Sequence, residues 1–508
     1  MQFTSLTYLY LFFPVTLVLY YVFYRHMAKK GSCLIGNIIL TLFSIVFYAA
    51  AGVRDVLILL IFVCVAYCLG LLVAWTRKKE AARVGDISTE TGVSEETAAK
   101  LSGHSASGKT AAKKIRWSPL VLAVSIAAVL YVLVYCKYRP FLWQIGIHLG
   151  GAAETKSLLG VSFIVFSAIS YLIDIYRGDA TPGSPFDAAF YITFFPKVVS
   201  GPIVQWKHFQ PQIQTRSMDT DRFVAGINRI VIGLAKKVIL ADTFGTYIGK
   251  IAGQTAIDAP SAWLCWLLYA LEIYYDFAGY SDIAIGTARL FGFDFKDNFN
   301  FPYRSLSVSE FWRRWHISLG TWFKEYIYFP LGGNRKGKGR TLFNLGVVFA
   351  LTGIWHGAGW AYILWGAIHG FFVIIERVLR DTKFYKAIPA WFKWLFTFLV
   401  TASAWELFRF GSVTEAGRWF ALMFGAIPYT AITYTWQYYF DARIITLVII
   451  AFLGATLLGD RRVFTFYENN IKKTGYYLLQ EVLIIALFVL SMIFIVNSTY
   501  SPFIYFQF

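Results

Sequence analysis

Two histidines, His316 and His356, stand in apolar sequence on either side of a glycine-rich basic loop. The stretch is residues 310–360, EFWRRWHISLGTWFKEYIYFPLGGNRKGKGRTLFNLGVVFALTGIWHGAGW. An imidazole can accept and return a proton near neutral pH. An ionisable group in membrane-grade sequence is costly and usually functional. Together these features point to an enzyme working inside a bilayer.

The two histidines differ in what surrounds them. Residues 341–354 are apolar and run into Trp355-His356-Gly357-Ala358-Gly359-Trp360. If helical, the sixteen residues after Arg340 rise about 24 Å, which puts His356 well inside the membrane profile. The small residues after it let a substrate or another helix come close. His316 follows Trp315 directly and has Trp312 one turn behind, so it also fits a hydrogen-bonded histidine in a packed core. His369, beside Gly370, reads as structural.

Between the histidines, Leu331-Gly-Gly-Asn-Arg-Lys-Gly-Lys-Gly-Arg340 lacks the spacing of a P-loop. Backbone amides freed by its glycines, with Arg335, Lys336, Lys338 and Arg340, can still hold phosphates; an ordinary cytoplasmic turn explains the same residues. Upstream, Glu272 and Asp276 share a helical face, with Asp282 beyond. They can act as acid and base or as a proton path, but neighbouring Tyr274, Tyr275 and Tyr280 can satisfy them as donors, and a structural reading is preferred. The aromatic tail, residues 503–508, fits an interfacial belt.

The elements that must carry these residues are membrane helices. The chain of 508 residues is 57% apolar and 15% charged, against about 45–50% and about 25% in a soluble domain. Apolar runs near the length of a span occupy residues 6–24, 34–51, 56–75, 120–136, 444–458 and 476–496. Counting weaker segments, the expectation is an all-α polytopic membrane protein with about 11 transmembrane helices plus re-entrant and interfacial helices. Residues 6–24 read as a retained first span rather than a cleaved leader.

A net charge of +18 invites a nucleic-acid reading, but the basic residues lie in short clusters beside apolar runs, the positive-inside pattern. That pattern puts the 25–30 turn in the cytoplasm and the N-terminus outside. Residues 77–116, polar and small-residue-rich, read as a flexible cytoplasmic loop inside one membrane domain, 1–508. Cys64 and Cys68 have no His or acidic partner nearby, so no metal site is expected. Pro196, Gly201 and Pro202 predict a broken or re-entrant helix over 186–215. Residues 222–252, with Arg229, Lys236 and Lys237, read as an amphipathic interfacial segment. Ser307 and Glu310 have the form of a capping box that opens a helix over 311–329.

Several segments resemble the membrane-bound O-acyltransferases (MBOAT), in the bacterial branch containing the alginate O-acetylation membrane subunit. They are GVSF (160–163), YLIDIYRG (171–178), FFPKVVSGPIV (194–204), YYDFAGYSDIAIG (274–286), NFNFPYRS (298–305), FWRRWHISLGTWFKEYIYFPLGGNRKG (311–337) and WHGAGW (355–360). The resemblance implies a helical bundle around a central tunnel, with Trp312, Trp315, Trp355 and Asp276 as expected lining. It implies that His356 is the catalytic base on an acceptor hydroxyl, and that His316 orients the acyl donor or stabilises the oxyanion. No bound cofactor is implied. The donor is acetyl-CoA or an acyl-carrier thioester, with Asn334, Arg335, Lys336, Lys338 and Arg340 as its docking residues. The acceptor is an envelope polysaccharide, and an extracytoplasmic esterase-like partner completes transfer. Phe503-x-Tyr505-x-x-Phe508 resembles a C-terminal motif of envelope-acylating systems in which a tyrosine relays the acyl group. Within the family, a teichoic acid D-alanyltransferase is the alternative. A transporter or flippase, or a non-catalytic scaffold, would belong to another class.

Overall fold

The computed structural model describes residues 1–30, 32–91, 117–149, 158–426, 432–471, 473–497 and 503. Every regular element among them is helical. Among the described residues, five helices are long and apolar enough to cross a membrane: Val53–Ala82, Trp117–Gln144, Trp360–Leu379, Ala442–Gly459 and Thr474–Asn497. Two shorter apolar helices, Tyr8–Tyr24 and Leu34–Ala49, add to them. The chain is thus a multi-pass helical membrane protein. The five carry outward-facing apolar surface, with only 11–39% of each apolar window buried. The long helix Ala259–Leu290 is instead largely buried by protein, so it can carry polar and charged residues that a lipid-facing helix excludes.

The contacts divide the chain into two compact units, one of Met1–Leu17, Ser200–Pro202 and Ser217–Phe508, the other of Val18–Val199 and Ile203–Arg216. Apolar segments recur through both units, which is why the sequence reads as a single domain. In the second unit, α1 (Leu34–Ala49), α2 (Val53–Thr91), α3 (Trp117–Leu133) and α4 (Val161–Arg177) pack together. Helix α2 continues through the first part of the segment expected to be a loop from Arg77. Residues 77–83, RKKEAAR, are good helix formers, and polarity alone does not end a helix. Glu80 accepts the Ser118 amide at 2.9 Å, which caps the start of α3. Residues 92–116 lie outside the described residues.

The expected break over 186–215 is present. Helix Pro185–Thr193 stops at Phe194, a short turn Phe195–Val198 follows, and helix resumes over Trp206–Gln214. Buried Lys197 donates to Ser167 Oγ at 2.9 Å and lies 4.0 Å from the Tyr191 ring centre.

The other unit contains both histidines. Its axis is α5 (Thr220–Ala235), α6 (Asp242–Ala252) and the 32-residue α7 (Ala259–Leu290). Glycines bring α5 and α7 into backbone contact: a Cβ on Gly233 would sit 2.7 Å from the Gly279 carbonyl, and one on Gly286 2.7 Å from that of Gly226. Small residues at a seam allow this close approach. It also turns the cations that make 222–252 look interfacial toward carboxylates. Arg229 and Lys236 meet Asp282 at 2.9 and 2.6 Å, and Lys237 meets Asp276 and Asp242 at 2.6 Å each. These cations pair with the two aspartates. The Tyr275 hydroxyl donates instead to the Ala451 carbonyl at 2.6 Å.

Around that axis lie α8 (Val308–Arg314), α9 (Ile317–Phe323), α10 (Lys338–His356), α11 (Trp360–Leu379) and α12 (Ala390–Phe410). Helices α10 and α11 cross at Gly353 and Gly366. A Cβ on Gly366 would stand 2.6 Å from the Phe349 carbonyl, and one on Gly353 2.6 Å from that of Tyr362. Gly366→Ala is therefore expected to push α10 away from α11, at about 1–3 kcal/mol of overpacking. Because a displacement of about 1 Å can cost a hundredfold in rate, acyl transfer should fall at least tenfold. A turnover assay on protein of matched abundance checks it.

Candidate active site

The helix expected over 311–329 is not continuous. The Ser307 hydroxyl accepts the Glu310 amide at 3.0 Å and starts α8 as expected. The Glu310 carboxylate does not close the box; it accepts the Leu306 amide at 3.0 Å and pairs with Arg314 at 2.8 Å. Glu376 of α11 adds a second clamp, accepting the Val308 and Ser309 amides at 2.6 and 2.8 Å. Helix α8 then ends, and His316 adopts φ 45°, one of two non-glycine residues with positive φ among the described residues. A left-handed conformation at a non-glycine residue persists only where surrounding structure holds it.

Residues 298–300 supply that hold. The Asn300 amide donates to the Arg314 carbonyl and the Ile317 amide to the Asn298 carbonyl, each at 2.9 Å. The Asn298 side chain completes the clamp. Its Nδ2 donates to Ser281 Oγ at 3.1 Å, and its Oδ1 accepts the Ser318 amide at 3.2 Å. His316 Nδ1 lies 3.0 Å from the same Oδ1. A backbone N–H can only donate, so that oxygen is an acceptor and the His316 proton sits on Nδ1. Nε2 then presents its lone pair. It is buried and has no hydrogen-bond partner among the described residues. In this tautomer Nε2 is an acceptor, so the neutral ring suits a donor group of a substrate.

His356 is the last residue of α10 and is 4% exposed, against 1% for His316. Trp355 lies between them, its ring 4.6 Å from His356 and 6.4 Å from His316. Trp365 and Phe408 close on His356 at 4.9 and 5.0 Å. The close approach expected after His356 is present: a Cβ on Gly357 would stand 2.2 Å from the Tyr362 ring. On the far side of His316, Phe277 of α7 packs edge-on at 4.7 Å. Phe503 is buried, lies 5.9 Å from Phe277 and stacks on Tyr280 at 4.5 Å. The start of the tail motif thus reaches within two rings of His316. Tyr505 lies outside the described residues.

Among the other expected residues, Trp312 packs on Trp365 and His369, and Trp315 packs on Trp405 at 4.7 Å. Asp276, expected in a tunnel wall, faces Lys237 in the ion triad. None of Trp312, Trp315, Trp355 and Asp276 lines the apolar hollow of about 670 Å³ formed around Trp263, Trp266, Met423 and Trp436. Asn334, Arg335, Lys336, Lys338 and Arg340 all present exposed side chains. Their loop is shaped by left-handed Gly333 and Gly337, and its Gly333 carbonyl is tied at 2.9 Å to Asn344 of α10.

Asn298 and Ser281 were not singled out in the sequence, although both fall inside the NFNFPYRS and YYDFAGYSDIAIG segments. The signal available was a polar residue among aromatic ones. Asn298→Ala should cut acyl transfer about tenfold or more, because it frees the tautomer and orientation of His316 and small misplacements of reacting groups are costly. Asn298→Asp, which keeps an acceptor for Nδ1–H, should retain more; equal loss in both variants would exclude the tautomer argument.

Residues 43–402 match the model of the membrane-bound O-acyltransferase family. The chain belongs to that family. It is therefore an acyltransferase, and both histidines fall within the matched region. The chain is 36% identical over 420 residues to a probable alginate O-acetylase of Pseudomonas putida, covering 77% of this chain and 84% of that one. A peptidoglycan O-acetyltransferase of Helicobacter pylori is 33% identical over 332 residues, covering 58% and 63%. A teichoic acid D-alanyltransferase of Bacillus subtilis is 29% identical over 297 residues, covering 56% and 75%.

Proposed function

We propose that the protein moves an acetyl group from a cytoplasmic thioester, acetyl-CoA or an acyl-carrier arm, across the membrane for O-acetylation of an envelope or extracellular polysaccharide. The observation that carries this reading is the pair His316 and His356, set on either side of Trp355 in a site built from buried aromatic rings. His356 takes the proton of the acceptor hydroxyl, whose oxygen attacks the thioester carbonyl. The carbon–sulfur bond breaks, and the departing thiolate recovers the proton from the imidazolium. His316, with Nε2 as an acceptor, orients an N–H or O–H of a substrate rather than an oxyanion.

The exposed basic loop at the start of α10 suits the phosphates of the donor, since a helix N-terminus favours anions. The positive-inside pattern supports a cytoplasmic loop and an extracytoplasmic N-terminus. Phe503, packed beside Phe277, supports a tail that enters the site, where Tyr505 accepts the acyl group and hands it to an extracytoplasmic esterase-like partner. Acetyl transfer is preferred to D-alanyl transfer because identity to the alginate acetylase is higher and covers more of the chain. Mass spectrometry of envelope polymers should find an acetyl ester lost from a deletion strain and restored by the wild-type gene. Loss of D-alanyl ester instead would favour the second reading. Tyr505→Phe should abolish the ester; full acylation in that variant would exclude the relay.

A further inference from the structure

His369 reads as a structural histidine in the sequence, yet the structure leaves it without structural partners of a polar kind. It is fully buried, and neither ring nitrogen has a hydrogen-bond partner among the described residues. The indole Nε1 atoms of Trp312 and Trp365 are buried and unpartnered in the same way. The three rings form one cluster, with centroid separations of 5.1 Å for Trp312–His369, 4.8 Å for Trp365–His369 and 5.4 Å for Trp312–Trp365. Buried polar atoms are nearly always satisfied, and a group of unmet ones calls for a missing partner.

The cluster also has a defined place relative to His356. Trp365 touches both histidines, at 4.9 Å from His356 and 4.8 Å from His369. Gly370, next to His369, packs on Phe349, whose Cβ is 2.9 Å from where a Gly370 Cβ would be. Phe349 lies seven residues before His356 on α10, about 10 Å along the axis, toward the end bearing the basic loop. On the donor reading above, that is the side from which the thioester arrives.

The chemistry of the unmet groups selects a ligand. Two indoles can only donate, and a neutral imidazole offers one donor and one acceptor. A hydrocarbon acyl chain satisfies none of them. A secondary amide offers two carbonyl lone pairs and one N–H, which match the two indoles and an imidazole nitrogen. The pantetheine arm shared by coenzyme A and acyl carriers contains such amides. We propose that His369, Trp312 and Trp365 form a binding site for an amide of the acyl donor's thiol arm. The proposal rests on the cytoplasmic thioester reading and adds the residues that would recognise the arm.

The test uses purified full-length protein with two acetyl donors, acetyl-CoA and S-acetyl-2-mercaptoethanol, a thioester without an amide. His369→Phe keeps the ring packing and removes both nitrogens; Trp312→Phe removes one donor and serves if the first variant fails to fold. Each should raise KM for acetyl-CoA about tenfold, the effect of one lost hydrogen bond to a buried group. The value of kcat should hold, and reaction with the amide-free thioester should not change. Wild-type turnover with acetyl-CoA and an unchanged KM in both variants would overturn the proposal. Wild-type protein that accepts acetyl from neither of these thioesters nor from an acetylated carrier protein would overturn the donor reading instead.

Discussion

His356→Ala is expected to leave a protein that inserts and accumulates in the membrane but acylates no polymer. The imidazole stands at the end of α10, walled by Trp355, Trp365 and Phe408. Removing a general base costs about 10²–10⁴-fold in rate, enough to lose the ester from whole-cell polymer. His356→Ala also empties space in an aromatic wall, so abundance must be measured beside activity. Membrane immunoblotting with ester quantification after mild alkaline hydrolysis separates the two effects. Retained ester in cells producing the variant would remove His356 from the mechanism. His356→Gln, which keeps hydrogen bonding but cannot take a proton, should be as inactive as the alanine variant.

Lys237→Met should be the most destabilising of the substitutions considered. The ammonium lies 2.6 Å from both Asp276 and Asp242, and its side chain is 5% exposed. Removing one member of a buried ion pair leaves uncompensated charge and costs about 3–5 kcal/mol. Here two carboxylates lose their shared cation, and the pairing of α7 with the π-helical segment Lys236–Ala241 goes with it. Because α7 also carries Phe277 and Ser281, the floor under His316 and Asn298 should loosen as well. The check is thermal unfolding in detergent, where the midpoint should fall clearly below wild type. Adding Asp276→Asn to Lys237→Met should recover part of the loss, since it removes one of the stranded charges. An unchanged midpoint in the single variant would show that the triad does not hold α7.

Much of the site's inventory was legible without coordinates. His316 and His356 stand out because imidazoles in apolar sequence are costly, and the basic loop stands out because charge rarely interrupts such sequence. Proline and glycine marked the break after Thr193. Hydropathy alone does not tell which long helices face protein: most of α7 is buried, and burial among helices tolerates Asp276 and Asp282. The helix through 311–329 was overread. Apolar spacing is the same on either side of His316, and the break is imposed by residues 298–300 from outside the segment.

The chain's own composition and local pattern therefore determined its class: a helical membrane protein with a histidine pair and a basic loop. Those properties follow from local hydropathy, local charge and backbone chemistry. Tertiary structure alone decided the rest. His316 meets Asn298 across 18 residues, and Arg229 meets Asp282 across 53. The first contact sets a tautomer and the second, with its glycine seam, places the helix beneath the site. His369 likewise joins Trp312 only through the packing of α8 on α11. No periodicity encodes which distant polar group will satisfy another, because that choice is made when the backbones close and water is excluded.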